Sequence, residues 1–289
     1  MRKLTDKILT EIADIDNSVR LIVADVGSFK TFRSRHSEKF INVGVSETNA
    51  IGIAAGLASE GMRVFVFGVS GFILYRAFEQ IKYSVGYWKQ PICIIGTGFG
   101  WQNYFIGRGH FNPDDIALMR MIPNMKIYTP IDEDDLIDCL QNRIDYPKYV
   151  RIYDGKLHSD IICNNRYDSS HKTIVITFGY MTKICLSVLN NLKEQGFDIG
   201  IISLNSLSKE HILQLYSEIN NKKIIVIEDH CAIGGLGALM RENGININYH
   251  LCLPINTEEI AESEKELLSL YNMDYMSIRN LLINLIEIV

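Results

Sequence analysis

"KFINVGVSETNAIGIAAGLASEGMRVFVFG", residues 39–68, reads as a strand, a short polar break, a helix and a second strand. "FINV" and "RVFVFG" are β-branched and aromatic runs of strand length, and the small and aliphatic residues after Glu47 suit a helix lying close against a sheet. Parallel strands need a helical crossover of this kind. The stretch therefore belongs to an open parallel α/β sheet. Glu47 stands where the helix begins, and no further charge follows until Glu60. A lone carboxylate there is either a helix-terminus device, favoured by the dipole with Ser46 as cap, or a chemical tool.

The same alternation extends in both directions. Strands are expected at 19–27, 63–68, 91–98, 125–130 and 148–153, with helices near 47–60, 72–87, 114–121 and 132–142. A polar stretch, "DGKLHSDIICNNRYDSSHK" (154–172), interrupts the pattern. Strands at 173–179, 198–204 and 223–229 then alternate with helices at 181–195, 208–219 and after 236, and the end of the chain reads as two helices. The expectation is an α/β protein of two open sheet domains, 1–165 and 166–289.

The 289 residues carry a net charge of −5, with 47% hydrophobic and 22% charged residues. Such a chain buries a sizeable core and has no basic footprint, which argues against nucleic acid and anionic membranes as partners. Six cysteines stand apart without a CxxC pair, so they read as reduced thiols of a cytoplasmic protein rather than disulfides or a zinc site, with Cys93 and Cys185 as small core residues. No apolar run approaches the roughly 20 residues that cross a bilayer.

Ligands of open parallel sheets sit at the carboxyl ends of the strands. Asp25 ends the first strand, Glu47 follows "FINVGVS", Phe72 and Tyr75 follow "VFVFG", and "GTGFGWQNYFIGRGH" follows the next strand and carries His110. Phe72 and Tyr75 also fit a plain core role. His110, in a glycine-flanked loop, is harder to explain by packing.

Taken in order, "FINVGVSETNAIGIAAGLASEGMRVFVF", "RAFEQIKYSV" and "GHFNPDDIALMRMIPNMKIYTP" resemble the pyrimidine-binding domain of transketolases, and "VIEDHCAIGGLGALM" (226–240) is similar to the signature helix of that family's C-terminal domain. The diphosphate-binding domain of the family carries a GDG motif, which this sequence lacks. The resemblance thus implies the C-terminal section of a split transketolase. Its cofactor would be thiamine diphosphate. Its partner would be an N-terminal subunit that brings GDG and Mg2+, in an α2β2 assembly acting on sugars. No metal ligand is assigned to this chain.

The resemblance also assigns roles. Glu47 matches the acid that bonds N1' of the aminopyrimidine and so creates the imino base that removes the thiazolium C2 proton. Phe72 matches the stacking aromatic, Val69 and Tyr75 the flanking pocket positions, and Asp25 and Val26 the stretch that approaches the thiazolium. His110 matches a histidine that donates to the substrate oxygen or shuttles its proton. Gly234, Gly235 and Gly237 are expected to make a tight turn into a helix, and Glu228 and His230 to face an interface without a catalytic role.

Departures from the family bear on substrate. Ile106 stands at the place of a sugar-binding acid, Gly98 at that of a histidine, and Asp154 at that of the arginine that grips the sugar phosphate. Either Arg108 or Arg151 takes over the phosphate, or the acceptor is a modified or nucleotide-linked sugar with Trp101, Tyr104 and Phe105 as a stacking surface. Three rival functions stay open: the β-subunit of a 2-oxoacid dehydrogenase E1 component, a deoxyxylulose-phosphate synthase-like ligation, and a non-catalytic partner subunit.

Overall fold

The expected strand and helix runs fold into two units, each built on its own sheet. The computed structural model describes residues 1–25, 27–103, 106–143, 145–153, 166–256 and 261–287. The first unit contains α1 (Arg2–Ile15), β1 (Val19–Val23), α2 (Lys30–Arg35), β2 (Phe40–Asn42), α3 (Glu47–Ser59) and β3 (Arg63–Val69). It continues with α4 (Ser70–Arg76), α5 (Phe78–Gln80), a π-helical turn (Ile81–Tyr87), β4 (Ile92–Thr97), α6 (Asp115–Arg120), β5 (Lys126–Tyr128), α7 (Glu133–Gln141) and β6 (Lys148–Arg151).

All six strands are parallel, in the order β2-β1-β3-β4-β6-β5. Val23 is in register with Asn42 and with Phe67, and Val69 with Thr97. The carboxyl ends of β1 to β4 therefore form one rim. Helix α3 turns Glu47, Ala50, Ile51, Ala54 and Ala58 inward. The spacing is that of one helical face, and the alanines let the helix approach the sheet closely.

The helix expected at 72–87 is broken into α4, α5 and the π turn. The break ends against the loop before β5: a Cβ on Gly86 would lie 2.3 Å from Ile122 Cγ2 and 2.7 Å from the Pro123 carbonyl oxygen. Hydrophobic periodicity does not report such a contact, because it depends on a loop distant in sequence.

The second unit contains β7 (Tyr167–Asp168), β8 (Thr173–Phe178), α8 (Met181–Glu194), β9 (Ile199–Leu204), α9 (Lys209–Ile219) and β10 (Lys223–Cys231). Then come α10 (Leu236–Glu242), β11 (Tyr249–Leu253), α11 (Glu264–Leu270) and α12 (Tyr275–Glu287). The strand order is β11-β10-β8-β9-β7, parallel except for the edge strand β7. Two strands escape the sequence reading: β7, a two-residue strand inside the polar stretch, and β11, whose "YHLCL" is short and only partly apolar. Residues 154–165 of that polar stretch lie outside the described residues. Both terminal helices are present, and α12 packs Ile278 and Leu282 into the core that α8 lines with Cys185, Leu189 and Leu192.

The segment Gly100–Asp114 lies between β4 and α6 in the chain but packs with the second unit. Gly100 and Asn112 exchange backbone hydrogen bonds of 2.6 and 2.9 Å, Cys231 N donates to the Pro113 oxygen at 2.7 Å, and Trp101 and Phe111 enter the second core. The cysteines Cys93, Cys139, Cys185, Cys231 and Cys252 are unbridged, and burial pushes the thiols of Cys93 and Cys185 up to about 11 and about 12. No helix among the described residues is long and apolar enough to cross a membrane.

Candidate functional site

Asp25, Glu47, Val69, Phe72 and Tyr75 all belong to the first unit, at or just after the carboxyl ends of its strands. At the end of β1, Asp25 has φ 47°, a left-handed conformation that Asp tolerates better than most residues, and its backbone N donates to Asn42 Oδ1 at 3.2 Å. The same oxygen accepts from Gly44 N at 3.0 Å. Asn42 thus ties the end of β1 to the turn that leads into α3. Val26 lies outside the described residues.

Glu47 is the first residue of α3, and its side chain is only 6% exposed. Ser46 occupies the N-cap position, but its side chain makes no capping bond. The carboxylate is instead engaged by Arg76, whose Nη1 donates to Oε1 at 2.9 Å and to Oε2 at 3.0 Å. The Arg76 guanidinium carbon also lies 4.6 Å from the ring centroid of Phe72. Phe72 and Arg76 are four residues apart on α4, so they share a helix face. One planar group therefore reaches both the carboxylate and the aromatic ring. Val69 is the last residue of β3, and Tyr75 is exposed on α4.

That pairing tests whether the residues suit the cofactor the sequence implies. An aminopyrimidine needs a desolvated carboxylate for its ring nitrogen and a flat apolar partner for its face. Glu47 and Phe72 offer both within the reach of a single guanidinium. The donor set fits. Among the described residues, no three His, Cys, Asp or Glu side chains cluster as a metal site.

His110 sits in a short 3-10 turn (Arg108–His110) and is half-buried. It belongs to the segment that packs with the second unit, whereas Glu47 and Phe72 belong to the first. The stacking surface expected from Trp101, Tyr104 and Phe105 is not formed by Trp101, which is 2% exposed and meets Tyr180 edge-on at 6.2 Å. Its position beside glycines suggests an exposed loop, but the second core claims the indole. Tyr104, Phe105 and Asp154 lie outside the described residues.

Arg151 is not presented to a phosphate. Its Nε donates to Asp115 Oδ2 at 2.9 Å and its Nη2 to Oδ1 at 3.2 Å, while its guanidinium lies 3.6 Å from the Phe99 ring centroid. Tyr149 donates to the same carboxylate at 2.7 Å and meets Ser70 Oγ at 2.9 Å, and burial pushes the Tyr149 phenol well above its ordinary range. The cluster leaves no room beside β4: a Cβ on Gly96 would be 2.5 Å from Ser70 Oγ and 2.6 Å from the Tyr149 ring. It joins the ends of β3 and β6 to the start of α6.

The sequence does not single out Arg76, Asp115, Tyr149 or Ser70. Arg76 lies four residues after Phe72, which is a usable signal for a shared face. Asp115 and Arg151 are 36 positions apart, and only folding pairs them.

In the second unit, Glu228 faces inward rather than toward an interface. Its Oε2 accepts from Leu236 N at 2.7 Å and its Oε1 from Gly237 N at 3.1 Å, and His250 Nε2 lies 2.6 Å from Oε1. His230 is fully buried, with Nδ1 2.8 Å from the Cys231 oxygen. Of the three glycines, only Gly234 has positive φ, 71°. Gly235 and Gly237 serve close approach, because a Cβ would stand 2.4 Å from Glu228 Oε2 and 2.5 Å from His250 Cε1 respectively.

Comparison with known proteins agrees with this architecture. Residues 1–157 match the family described as transketolase, pyrimidine binding domain, and residues 165–261 match transketolase, C-terminal domain. A provisionally named transketolase C-terminal section of Methanocaldococcus jannaschii is 32% identical, with 96% of this chain and 93% of the relative covered. One of the subunits of the Phocaeicola vulgatus apulose-4-phosphate transketolase is 27% identical over 83% of this chain and 82% of its own. A solved structure described as a split gene transketolase, inactive beta4 tetramer, superposes with a TM-score of 0.78 at 23% identity, covering 96% of this chain and 95% of that one, and supports the fold. The chain belongs to the transketolase family and carries its pyrimidine-binding and C-terminal domains.

Proposed function

We propose that this chain is the pyrimidine-binding subunit of a split, thiamine diphosphate-dependent transketolase that moves a two-carbon ketol unit between sugars. The observation that carries the reading is the buried Glu47 carboxylate held within one planar group's reach of Phe72. Relatives of similar extent named as a transketolase section and a transketolase subunit support a separate partner chain. That partner would carry the GDG segment absent from this sequence, hold Mg2+ and the diphosphate, and complete an α2β2 enzyme in the cytoplasm.

Bound thiamine diphosphate supplies attack on a sugar carbonyl from its thiazolium C2 and a sink for the electrons of the bond that breaks. Glu47 holds a proton at N1' of the aminopyrimidine, and its burial strengthens that bond. Phe72, with Val69 and Tyr75, orients the ring and excludes water from its face. Asp25, at the end of the first strand, lines the approach to the thiazolium. His110 donates to, or takes a proton from, the substrate oxygen.

The acceptor is proposed to be a modified or nucleotide-linked sugar. The burial of Arg151 in its pair with Asp115 and the relative named for apulose 4-phosphate both support a departure from the ordinary pentose phosphate site. The test of the whole reading is to assay the chain alone and with its GDG-bearing partner, with light scattering on both. The chain alone should bind thiamine diphosphate weakly and be inactive, and the mixture should be active as α2β2. A metal-dependent, active homodimer of this chain would overturn it.

A further inference from the structure

Arg76 makes, by itself, the two contacts expected of the cofactor's aminopyrimidine. Its guanidinium is planar and cationic, donates to both oxygens of Glu47 at 2.9 and 3.0 Å, and lies over the face of Phe72 with its central carbon 4.6 Å from the centroid. A ring that stacks on that face of Phe72 and donates to Glu47 needs the same space. The two occupants exclude one another.

We propose that Arg76 is a placeholder, which satisfies Glu47 and covers Phe72 in the free subunit and swings out when the cofactor's ring enters. The inference rests on the functional reading above. A carboxylate 6% exposed is costly to leave unpaired, so the site needs a cation before the ligand arrives. Arg76 is suited to leaving, because its own side chain is 48% exposed and an ion pair at such exposure contributes little net stability. Its backbone stays in place. Thr48 Oγ1 donates to the Arg76 oxygen at 3.1 Å and ties the end of α4 to the start of α3, so exchange is confined to the side chain. Cofactor affinity is then lowered by the fraction of molecules in which Arg76 holds the site.

The test titrates thiamine diphosphate by calorimetry into the complex of the full chain with its partner subunit, as wild type, Arg76→Met and Glu47→Gln. The inference expects Arg76→Met to bind about tenfold or more tightly than wild type, since the competing state is removed. Glu47→Gln should bind more weakly than wild type. A second readout needs no variant: side-chain 15N NMR of wild-type Arg76 should change from a bonded to a solvent-exchanging guanidinium at saturating thiamine diphosphate. Unchanged or weakened binding in Arg76→Met, or an Arg76 signal unaltered at saturation, overturns the placeholder while leaving the functional reading intact. A wild-type complex that takes up no cofactor, or a Glu47→Gln complex that binds it as wild type does, overturns the functional reading and this inference together.

Discussion

Arg151 grips both oxygens of Asp115 from 36 positions away, with each side chain 1% exposed. Removing one member of such a pair strands a buried charge, so Arg151→Met should destabilise the chain by about 3–5 kcal/mol. Urea unfolding of the two proteins measures this. A loss under about 1 kcal/mol, the range of exposed pairs, would mean that Asp115 finds another partner or reaches water. Gly96→Ala should also destabilise, since Ser70 and Tyr149 already fill its space.

Glu47→Gln should keep the fold and assembly while turnover and thiazolium C2 proton exchange fall together, by about 10²–10⁴ if the carboxylate sets up the proton transfer. The amide cannot hold the N1' proton as a carboxylate does. Exchange measured by NMR at the wild-type rate would remove Glu47 from the chemistry.

A pH-dependent contribution comes from the second unit. Burial tends to raise the Asp168 carboxyl, but hydrogen bonds from Lys193 and from Ser170 and the Lys193 charge outweigh it and hold the group well below the usual carboxylate range. A depressed carboxylate stabilises the fold above its unfolded pKa near 4, and that stability is lost as pH falls through the lower folded value. Lys193→Met should therefore cost stability at neutral pH, by about 1 kcal/mol or less for a partly exposed pair. The gap to wild type should close as the pH is taken below about 4. A gap that is independent of pH in acid unfolding curves would assign the loss to packing of the lysine stem.

The acceptor is tested with a ketose-phosphate donor offered ribose 5-phosphate beside a panel of keto-sugar nucleotides. The assembled enzyme is expected to use ribose 5-phosphate poorly, below about 10⁴ M⁻¹s⁻¹ in kcat/KM. A value above that would show that Ile106 and Asp154 do not redirect the acceptor site.

Both sheets and nearly all of their strands are legible in the sequence, because each strand is a run of β-branched and aromatic residues with its own local signature. Glu47 is legible for a related reason: a single charge at the head of an apolar helix stands out against its neighbours. The aromatic at position 72 and the start of α6 follow from motif blocks whose residues lie close together in the chain.

What only the tertiary structure decided are relationships across sequence distance. No local pattern states that Arg76 engages Glu47, that Arg151 is committed to Asp115, or that Trp101 belongs to the second core instead of a binding surface. Glu228, read as an interface residue, satisfies backbone N–H groups eight and nine positions ahead. The physical reason is common to these cases. Periodicity and composition report how a segment meets solvent and its own neighbours, whereas the partner of a charged or aromatic side chain is set by which segments the sheet order brings side by side.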